Sequence, residues 1–288
     1  MEQAASITDR LRVLPQYVIP QHLLSRMIYH LARCRWILLK NLLIKLFCIL
    51  YKPDLAEAEI TDYRKYENFN AFFTRSLKST VRPVNRDESS VICPVDGYIS
   101  QLGIIDHNLL LQAKNRLYTL DALLADERQA DHFNNGVFAT LYLSPANYHR
   151  VHMPLDGNLV QMSHVPGQLF SVNHHTSLIV DQLFARNERV ICLFETAAGL
   201  MAVILVGAIF VGNMETVWSG EITPAVNGSV STQFYKDEVH LQKGQELGRF
   251  NMGSTVIVLF ANRQCSWLSD LRPSDPVRMG MVLGKTGS

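Results

Sequence analysis

A serine hydroxyl, a carboxylate and a pair of histidines are the groups in this sequence whose types and spacing could do chemistry together. Near the C-terminus Asn251-Met252-Gly253-Ser254-Thr255 runs directly into the apolar Val256-Ile257-Val258-Leu259-Phe260. A serine held between a glycine and a strand can attack its own upstream peptide bond, because glycine leaves the carbonyl open and tolerates the strained backbone this requires. The same tripeptide also serves as an ordinary tight turn into a buried strand. Asp96 stands in Pro94-Val95-Asp96-Gly97, and His149 and His152 lie three apart in Tyr148-His149-Arg150-Val151-His152-Met153-Pro154. Together these supply an acid, a base and a hydroxyl, the parts needed to activate a poor nucleophile by proton removal. Each also has a plainer use. Asp before Gly is a favoured turn pair. A His-x-x-His pair can ligate zinc, but no helical pattern with an intervening Glu accompanies it, and a third ligand would have to come from His164, His174 or His175.

The elements that must carry these groups are mostly strands. From about Val91 the chain becomes short apolar runs, such as 137–143, 189–195, 201–211 and 255–260, punctuated by Gly, Pro, Asn and Asp. Upstream, Phe69-Asn70-Ala71-Phe72-Phe73-Thr74-Arg75 reads as a helix whose aromatic residues dock on the downstream part of the chain. With 288 residues, 48% hydrophobic and 18% charged, the chain can bury a sizeable core. Five scattered cysteines without a C-x-x-C pair suggest neither a disulfide framework nor a cysteine zinc site, and fit a reducing compartment. No phosphate-cradling glycine loop and no basic, aromatic-rich patch beyond the N-terminus points to a nucleotide fold or to nucleic acid.

The net charge of +1 hides an asymmetry, since residues 1–52 hold eight Lys or Arg against Glu2 and Asp9. This basic part is also the greasy part. Residues 36–51 are apolar except for Lys40, Asn41 and Lys45, whose spacing places them on one side of an amphipathic helix. Two lysines inside so short a run argue against a transmembrane span, and Tyr51-Lys52-Pro53-Asp54 is no signal-peptidase site. A helix lying in the interface of an anionic membrane accounts for both the charge and the grease; packing against the protein's own core is the other use for it.

In order along nearly the whole chain, the sequence resembles the phosphatidylserine decarboxylase proenzymes of bacteria and mitochondria. The matching segments are 69–75, 94–97, 148–154, Pro166-Gly167-Gln168-Leu169-Phe170-Ser171-Val172-Asn173, Phe184-Ala185-Arg186-Asn187-Glu188-Arg189, Val206-Gly207-Ala208, Lys243-Gly244-Gln245-Glu246-Leu247-Gly248-Arg249-Phe250 and the Gly253-Ser254-Thr255 step. Two positions depart from the pattern: Met252 stands where leucine is usual, a swap of similar volume, and Asn147 where an acid is common.

The resemblance implies an α+β protein, a β-rich catalytic domain (residues 59–288) preceded by a basic, membrane-associating helical segment (residues 1–58). It implies that Asp96, His152 and Ser254 act as a protease-like triad in self-cleavage between Gly253 and Ser254. The products would be a β chain of residues 1–253 and an α chain of 254–288 whose Ser254 has become a pyruvoyl cofactor. That ketone would form a Schiff base with phosphatidylserine, His149 would serve decarboxylation, and phosphatidylethanolamine would leave. No metal and no added cofactor are implied. The resemblance also implies a homodimer, peripheral on the cytoplasmic face of the bacterial inner membrane. A triad hydrolase with an intact Ser254, or a non-catalytic β-rich membrane-binding module, would use the same residues without a chain break, so intact mass separates the decarboxylase from both.

Overall fold

The computed structural model describes residues 13–113, 116–209, 213–222, 228–251 and 254–287. The scissile Gly253, and Met252 before it, fall outside them. A nine-stranded antiparallel sheet organises the molecule. Its middle runs Gly157–Val165, Arg189–Thr196, Gly199–Val206, Ser254–Phe260, Val137–Leu143 and Gly97–Ile104, each strand bonded to the next. The apolar runs foreseen from sequence are these strands, except that the run from 201 ends as strand at Val206.

Ser254–Phe260 lies at the centre of the sheet, buried along its whole length. Ser254 pairs with Leu143 on one side, and Thr255 with Val206 on the other. Strand alternation sends Val256, Val258 and Phe260 to one apolar cluster and Ile257 and Leu259 to another. A sheet covered on both faces needs near-continuous apolar strands, which is why this one lacks an alternating polar pattern. The first face is closed by two smaller sheets, one of which pairs Glu246–Phe250 with Arg150–His152. The second face is closed by short helices that supply Leu120, Leu123, Phe133, Leu183 and Phe184.

At the N-terminal end two helices, Gln21–Ala32 and Ile37–Tyr51, pack onto the catalytic body. Gln21 accepts from the Leu169 amide at 2.7 Å and Gln16 from the Ser171 amide at 2.8 Å, while Arg33 and Tyr29 reach Glu221. The second helix turns Ile44 and Phe47 inward against Tyr66, Phe69, Phe72 and Phe73, forming a separate aromatic cluster. Among the described residues no helix is long and apolar enough to cross a membrane.

One sequence expectation fails here. Lys40 does not share a solvent face with Lys45. It is buried, and its Nζ donates to the Arg64 carbonyl at 2.9 Å and to Asn41 Oδ1 at 2.7 Å. An exposed backbone carbonyl on the docking partner can satisfy an ammonium, an arrangement periodicity cannot reveal. The face left outside is therefore the greasy one: Leu38 and Leu50 are 72% and 73% exposed, with Ile37, Leu42, Leu46 and Ile49 beside them.

Candidate active site

The segment that carries His149 and His152 follows the strand ending at Leu143, the residue that pairs with Ser254, and its His149 carbonyl accepts from the Phe250 amide at 3.0 Å. Asp96 is fixed by its neighbours in sequence. Gly97 pairs into the sheet so closely that a Cβ there would lie 2.2 Å from the Tyr142 carbonyl oxygen, so any side chain would push the Asp96 turn off its strand. The Asp96 carboxylate accepts from Arg82 Nε at 2.9 Å and Nη2 at 2.5 Å, and from the Met279 amide at 2.9 Å. Arg82 also donates to Glu57 at 2.6 Å, and the Asp96 bond, the largest contribution, drives its pKa up. Both members of the Asp96–Arg82 pair are nearly inaccessible to water.

Removing one half of such a pair costs more than removing both. Arg82→Met is expected to lower the free energy of unfolding by about 3 to 5 kcal/mol by leaving a buried carboxylate unpaired. The double variant Arg82→Met/Asp96→Asn recovers a large part of that loss, and urea titrations of the wild type, Arg82→Met, Asp96→Asn and the double variant measure the difference. Equal losses in single and double variants would contradict the pairing.

His152 ends the strand Arg150–His152, its amide bonded to the Pro94 carbonyl at 2.9 Å, which ties it to the Asp96 turn. The Gly244 carbonyl lies 2.8 Å from Nδ1 and the Tyr148 hydroxyl 3.0 Å from Nε2. A carbonyl can only accept, so this network assigns the proton to Nδ1 and leaves Nε2 as the basic nitrogen. Gly244 itself sits at φ +83, with Val84 2.7 Å from where a Cβ would be. Burial is the main influence on His152 and lowers its pKa, while the Gly244 carbonyl and the Glu246 and Asp96 charges pull the other way. Burial likewise raises the Tyr148 pKa, so the hydroxyl stays protonated.

His149 occupies a different environment. It is fully buried, stacked on Phe73 with ring centroids 4.0 Å apart and planes 21° from parallel. Burial, and next the Arg75 charge, push its pKa down to about 3, so this imidazole is neutral at physiological pH. The helix Phe69–Phe73 that supplies the stacking ring is started by Asn68, whose side chain accepts from the Ala71 amide. Asn70 on the same helix donates to Asn251 Oδ1 at 3.0 Å, beside the Gly253-Ser254 step.

Ser254 is 1% exposed, and its Oγ has no hydrogen-bond partner among the described residues. Neither ring nitrogen of His149 meets one in good hydrogen-bond geometry, although the Pro145 and Ser144 carbonyls lie close enough to favour its protonated form, and Thr255 Oγ1, Asn251 Nδ2, Asn70 Oδ1 and Nε and Nη1 of Arg75 meet none. A buried polar group left unpaired costs about 1 to 3 kcal/mol, so a fold concentrates such groups only where something else uses them. No hydrogen bond directly joins Asp96, His152 and Ser254 in this structure. Asp96 acts on His152 through space, its charge favouring the protonated imidazole, and Nε2 is occupied by the Tyr148 hydroxyl. Among the described residues no group of three or more His, Cys, Asp or Glu is placed to hold a metal ion.

Arg82, Tyr148 and Phe73 have no role in the reading of the sequence as catalytic parts. Arg82 lies fourteen residues before its partner, a separation without periodic meaning, whereas Phe73 belongs to an aromatic segment already expected to dock.

Known proteins point the same way. The family profile described as phosphatidylserine decarboxylase matches residues 69–285, and a second, described only as PSD, matches residues 11–52. A phosphatidylserine decarboxylase proenzyme of Ectopseudomonas mendocina (strain ymp) is 51% identical over 280 residues, covering 96% of this chain and 98% of its own. That of Methylococcus capsulatus is 49% identical over 282 residues, covering 97% and 98%. One from Pseudomonas aeruginosa (strain LESB58) is 50% identical over 283 residues, covering 96% and 98%. The chain therefore belongs to the phosphatidylserine decarboxylase family.

Proposed function

We infer that this protein decarboxylates phosphatidylserine to phosphatidylethanolamine, and that it does so after cutting its own chain between Gly253 and Ser254. The observation that carries this, beyond family membership, is a buried Ser254 hydroxyl with no partner among the described residues, set at the start of the central strand. A serine whose hydroxyl served only a turn would be hydrogen-bonded by it.

Self-cleavage begins when His152 Nε2 takes the Ser254 hydroxyl proton, and the Asp96 charge steadies the imidazolium. Ser254 Oγ bonds to the Gly253 carbonyl carbon, the peptide C–N bond breaks as the imidazolium returns its proton to the Ser254 nitrogen, and an ester replaces the amide. Loss of the Ser254 α-proton then breaks the Cβ–O bond and frees Gly253 as a carboxylate, so residue 254 becomes dehydroalanine. Water replaces its nitrogen, ammonia leaves, and a pyruvoyl group remains.

The Ser254 position suits such a group: it is buried, it starts a strand bonded on both sides, and Asn251 and Thr255 beside it in the chain each carry a polar group without a partner among the described residues. When formed, the pyruvoyl ketone supplies a sink for the electrons released as carbon dioxide departs. The chain's own residues do the rest. Phe73 and the surrounding core exclude water from His149. His149, neutral at rest, faces an incoming carboxylate that raises its pKa, and it returns a proton to the carbon that loses carbon dioxide. Incubation with phosphatidylserine in detergent micelles tests the function. Release of phosphatidylethanolamine with no added cofactor is expected, and serine or fatty acid as the product would contradict it.

The N-terminal segment, taken as residues 1–58 with the catalytic domain at 59–288, brings this site to the headgroup layer. Leu23, Met27 and Leu31 recur every four residues on the first helix, and Leu38, Leu42 and Ile49 continue the exposed apolar surface on the second. Arg26, Arg35 and Lys45 stand among them, each attracted to an anionic surface by about 1 kcal/mol. This supports peripheral attachment to the cytoplasmic face of a bacterial inner membrane, and homodimerisation is expected from the family.

The triple variant Leu38→Glu/Leu42→Glu/Ile49→Glu keeps the buried Ile44 and Phe47 and is expected to lose sedimentation with phosphatidylglycerol vesicles. Unchanged binding would contradict the attachment. Deleting residues 1–52 is a blunter test, because it also strips Phe47 from Phe69, Phe72 and Phe73, the last of which stacks on His149.

A further inference from the structure

A cavity of about 280 Å³ opens beside Asp96 and Tyr148, lined also by Lys52, Asp54, Glu57, Arg75, Arg82 and Arg278. Its charges are unevenly matched. Arg82 is paired with Asp96 and Glu57, and Arg278 reaches Glu57 at 3.4 Å. Arg75 has no acidic partner within ion-pair distance among the described residues, although it is only 3% exposed. Its Nη2 donates to the Ala146 carbonyl at 3.1 Å and lies 3.5 Å from that of Asn147, whereas Nε and Nη1 meet no acceptor. A guanidinium cannot shed its charge, so burying one with donors unused is costly unless an anion completes it.

We propose that Arg75 is the phosphate anchor of the site: the residue lines the Asp96–Tyr148 cavity, and its guanidinium, whose Nε and Nη1 are shielded from solvent without an acceptor, turns into that cavity to bind the phosphodiester of the lipid headgroup. This rests on the decarboxylase assignment and adds a residue to it. Two anions on the substrate could compete for the guanidinium, and the chemistry chooses between them. The carboxylate loses its charge as carbon dioxide forms, so a cation bound to it would hold back the reaction. The phosphodiester keeps its charge throughout, and an anchor there strengthens substrate and transition state alike. Position agrees, because Lys52 and Pro53 line the same cavity and directly follow the helix whose apolar face is exposed. A lipid lying against that face presents its headgroup at the cavity mouth.

The test uses the full chain as wild type, Arg75→Gln and Arg75→Lys. Each is given phosphatidylserine, or a long-chain O-acylserine lipid without phosphate, in the same micelles. The ratio of kcat/KM for the phospholipid to that for the phosphate-free lipid is expected to fall ~10- to 100-fold in Arg75→Gln, mainly through KM, and less in Arg75→Lys. A merely structural Arg75, bracing the 146–147 carbonyls, would slow both lipids together and leave the ratio fixed; that result overturns the proposal.

The wild type carries a second arm that needs no variant to fold. Inorganic phosphate is expected to raise the apparent KM for phosphatidylserine and not for the phosphate-free lipid. Phosphate that affects neither lipid, or both equally, overturns the anchor. Loss of phosphate inhibition in Arg75→Lys with an unchanged lipid ratio would make this a site for free phosphate, and overturns the headgroup assignment. A wild type that releases carbon dioxide from neither lipid brings down the decarboxylase assignment and the anchor with it. A wild type active on both, with a fixed ratio in the variants, brings down the anchor alone.

Discussion

Ser254→Ala is expected to remain a single uncut chain and to lose decarboxylation by more than about a thousandfold, because the variant has neither the nucleophile for cleavage nor the carbon skeleton that becomes the ketone. Its folding should not suffer. The Ser254 hydroxyl is buried without a partner, so removing it gives up no hydrogen bond and relieves a desolvation cost, and urea unfolding should show a stability equal to the wild type or up to about 1 kcal/mol higher. This combination is specific. A structural serine that anchored the turn before the strand would give the opposite result, intact activity with reduced stability. A cut chain in Ser254→Ala would place the nucleophile elsewhere.

His149→Gln is expected to separate maturation from turnover. The neighbouring histidine, His152, is tied by its amide to the Asp96 turn and by its ring to Gly244 and Tyr148, and it is the base of the proposed cleavage step. His149 instead stacks on Phe73, fully buried and with neither nitrogen in a well-formed hydrogen bond, a setting for moving one proton to or from a substrate. Glutamine keeps a polar side chain of similar reach without the capacity to exchange a proton near neutral pH. The variant should therefore cut itself, while kcat falls by about 10²- to 10⁴-fold, the usual worth of a positioned acid or base. His152→Gln should show the reverse, an uncut chain. Mass spectrometry and carbon dioxide release on the same samples measure both effects. A His149→Gln protein that fails to mature while folding normally would remove the division of labour.

The strands that build the catalytic body were legible because a sheet covered on both faces demands continuous apolar runs, and 137–143, 189–195 and 255–260 could hardly be anything else. The carriers of chemistry were legible for a different reason. Asp-Gly and Gly-Ser-Thr each have a plain use as turns, so it was the resemblance of the whole series of segments to one family that pointed to these residues as one site. Relations between distant residues stayed hidden. Nothing near Arg82 tells that its guanidinium holds Asp96, and nothing near Lys40 tells that the Arg64 carbonyl waits for its ammonium. The Lys40 case changed the picture of the N-terminus: a helix expected to present lysines outward presents leucines, because docking on Phe69, Phe72 and Phe73 selected the face containing Ile44 and Phe47. Arg75 was hidden in the same way, its isolation from any acid being a property of the folded chain alone.

Intact mass of the purified full-length protein tests the central claim most directly. Two species are expected, residues 1–253 with an ordinary carboxyl end and residues 254–288 lighter by one ammonia than a peptide beginning with serine. The small fragment should resist N-terminal degradation and react with a carbonyl reagent. A single species of 288 residues that nevertheless decarboxylates phosphatidylserine would contradict the claim, because the ketone would then have to come from somewhere other than Ser254.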